Sequence, residues 1–300
     1  MRRLTVGAAA ALAMGAVVLA GCSAPTGIDG KIADDWAPMA KPSSFVPAAG
    51  VCHASGFSET AYRSGYDPID CAERHQTETV YVGTFSGAAA KRPAPPRSGS
   101  AELRTAFTEC DRRAKAYLGN DWRSGRLWLG VTVPSTQGWG GGSRWFRCEV
   151  SELSDVENDG DVVDRSASLK GALATASSLR LGCYTYTQTV EADRFTAVAC
   201  SKSHNAEFVG VTTGTTAAYP SKKTDWDRYH RACRSLIAKY AKVPDDSNMH
   251  YRTGTVLVPN GSAEWRDGNR GIRCYAWLNQ RKLSRSLKGV GTSGLPINYA

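Results

Sequence analysis

No two cysteines in this chain are spaced Cys-x2-Cys, and no His-Glu-x2-His occurs. The first absence argues against a zinc-thiolate finger or ribbon. The second argues against the metalloprotease helix. No Ser–His–Asp or Cys–His set stands out for nucleophilic catalysis. The acidic stretch with Asp155, Glu157, Asp159, Asp161 and Asp164 lacks the glycine and terminal glutamate of an EF-hand loop, so it reads as a solvated connection. Like charges never run together in a long block, so the net charge of +9 is scattered over the chain. A basic surface of this kind meets anionic lipid or wall polymer, or simply keeps a protein dispersed.

The N-terminus carries an export signal. Arg2-Arg3 precede an Ala-rich apolar run from Leu4 to Ala20, too short to span a bilayer comfortably. The run ends in Leu19-Ala20-Gly21-Cys22, which resembles the bacterial lipoprotein box. That resemblance implies cleavage before Cys22 and acylation of its thiol, giving more than one hydrocarbon chain for stable anchoring. Loss of Arg2 and Arg3 with the leader lowers the charge by two. Nine cysteines less Cys22 leave eight, an even set that in an exported chain implies disulfides. Pro25, Pro38, Pro42 and Pro47, among Ser, Ala and Gly, make residues 22–50 read as a tether, on which Trp36 and Phe45 either dock locally or lie exposed.

Beyond the tether, two stretches of the chain are copies. Cys71-x3-His75-x2-Glu78 runs into Thr79–Phe85, and Cys200-x3-His204-x2-Glu207 runs into Phe208–Thr213. Each is followed by a helical stripe containing a cysteine: Leu103, Phe107, Cys110, Ala114 and Tyr117 in one, Trp226, Tyr229, Cys233, Ile237 and Tyr240 in the other. Ser100 and Gly119 suit the ends of the first helix, and Thr224 with Asp227 resembles a capping box for the second. Alternating strands ending in Pro134 and Pro259 come next, then Trp-x2-Gly-x-Arg-x2-Arg-Cys twice, with Trp139, Arg144 and Cys148 matching Trp265, Arg270 and Cys274. The period far exceeds that of a solenoid repeat.

This order of cysteines, His-x2-Glu and Trp-x2-Gly-x-Arg resembles the septum-formation domain of actinobacterial envelope proteins and lipoproteins. The resemblance implies a link to septation or cell-wall processes, and carries no defined activity. The expected fold is α+β in two tandem repeats, each a small, mostly antiparallel sheet with one packed helix, stapled by disulfides. The expected parts are a signal peptide (1–21), a tether (22–50), one domain (51–150), a linker (151–180), a second domain (181–280) and a loose polar tail (281–300). Leu169, Leu173 and Leu179 are expected to dock onto the second domain. Three cysteine pairings are open in each domain. Loop length and helix-to-sheet pinning favour Cys52–Cys71, Cys110–Cys148, Cys183–Cys200 and Cys233–Cys274.

Two recurrent clusters are candidate ligand sites. His75 with Glu78, and His204 with Glu207, converge on a metal or ligand in the functional reading, or cap a turn and accept internal hydrogen bonds in the structural one. Arg144 with Trp139, and Arg270 with Trp265, offer a guanidinium beside an indole for a carboxylate, phosphate or sugar. Alternatively the arginines pair with Glu78 and Glu207. The reading is of a non-enzymatic lipoprotein on the extracytoplasmic face of the membrane. No cofactor, metal or nucleic acid is expected, and an envelope protein or wall polymer is the expected partner. The alternative is a metal-binding protein or hydrolase using the His/Glu pairs.

Overall fold

The computed structural model describes residues 43–189 and 192–299. The leader, Cys22, Trp36 and most of the tether lie outside the described residues. The first sheet contains β1 (Val51–His53), β2 (Thr60–Ala61), β3 (Thr77–Thr84), β4 (Leu127–Pro134) and β5 (Trp145–Glu152), in the order β1-β3-β5-β4-β2. The second contains β6 (Cys183–Gln188), β7 (Asp193–Val198), β8 (Ala206–Thr213), β9 (Gly254–Pro259) and β10 (Gly271–Trp277), in the order β7-β6-β8-β10-β9. Four strands correspond: β1-β3-β5-β4 and β6-β8-β10-β9 share one order, with antiparallel pairing throughout. Register of the central pair agrees as well, Cys148 lying opposite Tyr81 and Cys274 opposite Gly210, each three residues after the glutamate of its half. The fifth strands differ. β2 pairs parallel on the outer edge of β4, whereas β7 pairs antiparallel on β6.

One long helix packs on each sheet. α1 (Ala101–Leu118) begins where the Ser100 hydroxyl accepts the Leu103 amide hydrogen, and ends at Gly119, whose φ of 82° is left-handed and costs glycine little. Its stripe buries Phe107, Cys110, Ala114 and Leu118 against Leu129, Val131, Cys148 and Val150. A short helix α2 (Thr136–Gly140) follows β4. The second long helix, α3 (Lys223–Ala241), starts two residues earlier than the sequence suggests: Asp225, not Asp227, reaches back to the Lys222 amide at 3.0 Å. A short helix α4 (Ser262–Asp267) precedes β10. The four disulfides are Cys52–Cys71, Cys110–Cys148, Cys183–Cys200 and Cys233–Cys274. In each half the second bond ties helix to central strand.

Residues from Ser44 onward form one compact unit, so the sheets do not hang on a free linker. Arg123, 5% exposed, joins them: its guanidinium donates to Asn269 Oδ1 at 2.9 Å and to Asp111 at 2.6 Å. Arg273 returns a bond to the Arg123 carbonyl at 3.0 Å. Gly271 leaves the room for this, because a Cβ there would stand 2.1 Å from Arg123 Nε.

Two expectations about the connecting segments are corrected, and one left open is decided. Leu169, Leu173 and Leu179 dock onto the first half, in one core with Phe107, Leu118 and Trp122. The tail is not loose: Leu283, Leu287 and Leu295 pack against Ile237, Ala241 and Met249, and the Arg252 guanidinium donates to the Leu295 carbonyl at 2.7 Å. The end of the tether is docked too, with Phe45 edge-on to Tyr66 at 4.9 Å and Pro47 buried. The physical reason is common to the linker and the tail. Each sheet half is too small to cover its own helix, so leucines from neighbouring chain complete the core.

Candidate functional site

The His/Glu pairs lie at the start of β3 and β8, under the last turn of the long helix. Neither is open to solvent: His75 and His204 are 0% exposed, Glu78 and Glu207 1%. In the first half, Glu78 accepts the Leu169 amide hydrogen at 2.6 Å, the Tyr117 hydroxyl at 3.0 Å and the Ser168 hydroxyl at 3.2 Å. In the second, Glu207 accepts from the Leu287 amide at 2.6 Å, the Tyr240 hydroxyl at 2.6 Å and the Ser286 hydroxyl. His75 Nδ1 donates to the Glu73 carbonyl and His204 Nδ1 to the Lys202 carbonyl, both at 2.7 Å. His75 Nε2 then faces Glu78 at 3.3 Å, while His204 Nε2 has no partner among the described residues. The His backbones pair with Arg165 and Leu283 as isolated bridges.

The segments that close over the glutamates are themselves a repeat that sequence reasoning missed. Ser166-x-Ser168-Leu169-Lys170-Gly171 in the expected linker matches Ser284-x-Ser286-Leu287-Lys288-Gly289 in the expected tail. Gly171 and Gly289 have left-handed φ of 71° and 69°, and their amides donate to the carbonyls of Tyr117 and Tyr240 at 2.8 and 2.9 Å. Each carboxylate is thus a buried staple between sheet, helix and closing segment. As a metal site it is poor. Glu78 lies beside Cys52 and Cys71, and Glu207 beside Cys183 and Cys200, but those sulfurs are spent in disulfides. Only the thiolate form ligates.

The Trp/Arg pairs do a different job in a different place. Trp139 and Trp265 are 1% and 0% exposed, so neither offers a ring face to a ligand. Their indole N–H groups donate to the carbonyls of Arg92 (2.8 Å) and Thr216 (3.0 Å). The Arg144 guanidinium stacks 4.3 Å from the Trp139 ring and donates to the carbonyls of Ala90 and Trp139. Arg270 donates to the Trp265 carbonyl. Neither arginine pairs with Glu78 or Glu207, so the two motifs are not one polar cluster. The spacing has a local cause: Gly142 and Gly268, at φ 96° and 109°, turn the chain after α2 and α4 so that the arginine folds back onto the tryptophan carbonyl.

The groups that remain beside open space are on the other face of the first sheet. Phe146, Cys148 and Val150 of β5 face α1, so Trp145, Arg147, Glu149 and Ser151 face away. Arg147 and Glu149 are 7% and 2% exposed, and form an ion pair of 2.5 Å. His53 Nε2 lies 2.9 Å from Thr79 Oγ1 and 3.5 Å from an Arg147 nitrogen. Arginine only donates, so that ring nitrogen accepts and the imidazole is neutral. Burial, with the Arg147 charge beside it, pulls His53 down to about 4. Burial pushes Glu149 up to about 7 despite Arg147. These three side chains line a cavity of about 230 Å³, covered by the loop carrying Ser58, Tyr62 and Tyr66. On the same face of the second sheet Arg273 is likewise buried but donates to the carbonyls of Arg123 and Leu127, and Tyr184, Tyr186, Phe195 and Tyr275 cluster there in place of His53 and Glu149. The clue in the sequence was Glu149 set against Tyr275, both one residue after the last cysteine of their half.

Fold and site together define a cystine-stapled α+β protein of two like halves whose repeated polar residues are internal staples. The septum-formation family model matches residues 49–274, reaching from β1 in the first half to β10 in the second. This chain belongs to the septum-formation family. Comparison with curated proteins and with solved structures finds no match in either.

Proposed function

We propose that this chain is a lipid-anchored module on the extracytoplasmic face of the bacterial membrane, a non-enzymatic binding or scaffold protein in septum formation or cell-wall processes. It consists of two tandem copies of one family domain, each reaching further than its cysteine and Trp/Arg motifs: the first takes in the Ser-x-Ser-Leu-Lys-Gly segment at 166–171, the second the one at 284–289. The observation that carries the address is the pairing of all eight described cysteines in four disulfides, a state that persists in an oxidising compartment. It stands beside Leu19-Ala20-Gly21-Cys22, where Cys22 is the acyl acceptor. The non-enzymatic role is supported by the burial of both His/Glu pairs.

The test is metabolic labelling with a palmitate analogue in a bacterial host. The proposal expects label on the wild-type chain in the membrane fraction, and its loss, with release of the chain, for Cys22→Ala. Unlabelled wild-type protein retained in the cytoplasm with free thiols would overturn it.

A further inference from the structure

The two halves are each other's control for what the sheet face opposite the long helix needs. In the second half Tyr184, Tyr186, Phe195 and Tyr275 pack on that face beside Arg273, which donates to the carbonyls of Arg123 and Leu127, and the Tyr275 hydroxyl donates to Glu157. The first half has the matching Arg147, but Glu149 where the second has Tyr275, and His53 where it has Tyr184, one residue after the first cysteine of each half. Burying such groups costs several kcal/mol unless every one is paired, and Arg147 Nε has no partner among the described residues. Arg273 shows that an arginine at this position can be held by backbone carbonyls, so the carboxylate and imidazole beside Arg147 are not what the fold requires there. Buried ionisable groups gathered at a cavity mark a binding site.

We infer that this cavity binds a neutral polyhydroxylated ligand of about one sugar ring. Size sets the first limit: about 230 Å³ is below the roughly 300–1,000 Å³ of drug-sized pockets. Charge sets the second. Arg147 is already neutralised by Glu149 at 2.5 Å, so an anion would have to displace a buried carboxylate. A hydroxyl both donates and accepts, and satisfies both members of the pair at once: its oxygen accepts from Arg147 and its hydrogen goes to Glu149. The hydroxyls of Ser58, Thr77 and Tyr66 extend the same chemistry around the wall, and the exposed Tyr62 stands on the rim. The inference rests on the reading of the chain as a binding module, and is separable from it: lipid labelling at Cys22 and sugar binding are read independently.

The experiment is a titration of the folded, disulfide-bonded protein with glucose, galactose, mannose, arabinose and N-acetylglucosamine, followed by NMR of the arginine Nε–H and tyrosine ring signals. At least one sugar is expected to shift Arg147 and Tyr66 saturably and to leave Arg273 in place. Glu149→Gln keeps the shape and is expected to weaken that sugar about tenfold or more, the loss of one charged hydrogen bond. Ser58→Trp, on the exposed covering loop, is expected to abolish binding with the melting temperature unchanged. The wild-type titration stands even where a variant fails to fold. No shift of Arg147 with any of the sugars, equal binding by Glu149→Gln, or a shift with succinate alone would overturn the inference.

Discussion

Glu78 Oε1 accepts the backbone hydrogen of Leu169 at 2.6 Å, across 91 positions of sequence. Glu207 does the same for Leu287 across 80. The two bonds give the first prediction. Glu207→Ala leaves the Leu287 amide and the Tyr240 and Ser286 hydroxyls without their shared acceptor in a buried place. A cost of about 3–5 kcal/mol is expected in urea unfolding, with new protease cleavage in the segment after Arg281. A cost below about 1 kcal/mol would show that the carboxylate is not a staple.

The tail obeys the same packing. Removing residues 281–300 strips Leu283, Leu287 and Leu295 from the second core. At 1.5–3 kcal/mol for each buried leucine, Leu287 and Leu295 alone account for about 3–6 kcal/mol, to which the half-buried Leu283 adds. Circular dichroism should find the second half unfolded at a temperature where the full chain is native.

How much of the fold and site was legible in the sequence depends on the length scale of the signal. The helix stripes, the alternating strands and the cystine pairs rest on short-range periodicity and loop length, and the structure has the same elements and the same four pairs. The docking of Leu169 and of Leu287 is not legible in the sequence, because their contacts are set by tertiary closure and not by local pattern. Even so, Ser-x-Ser-Leu-Lys-Gly stood twice in the chain. One copy lies in an apparent linker and the other in an apparent tail, where no periodic element marks them. Recurrence alone leaves open whether Arg144 pairs with Glu78. Two motifs that recur together need only share a domain, not touch. The Arg147–Glu149 cavity was hidden by the likeness of the halves: a search for what repeats passes over the position where the copies differ.

The cavity makes stability depend on pH in two opposed ways. His53 is pulled from 6.5 to about 4 in the folded state. Its contribution is present above 6.5 and is lost as pH falls through 4. Glu149 is raised from 4.5 to about 7. Its contribution is present below 4.5 and is lost as pH rises through 7. Between 4.5 and 6.5 the slopes oppose and largely cancel. Glu149→Gln should unmask a stability that rises with pH across that window, by up to about 1.4 kcal/mol per unit. His53→Gln should unmask one that falls. Urea midpoints at half-unit pH steps check both signs.

The cystines should separate by loop length. Replacing Cys183 and Cys200 with serine opens a bond of sequence separation 17, worth about 3 kcal/mol; doing so for Cys233 and Cys274 opens one of 41, worth about 4 kcal/mol. Peptide mapping without reductant should return the four pairs and no cross-pair between halves.

The sharpest test is hydrogen–deuterium exchange resolved to the amides of Leu169 and Leu287. If the repeated glutamates are sealed staples, both amides exchange only with global unfolding in the wild type, and each becomes fast by local opening in the Gln variant of its own glutamate. Exchange within seconds in the wild type, or protection that ignores Glu78→Gln and Glu207→Gln, would contradict it.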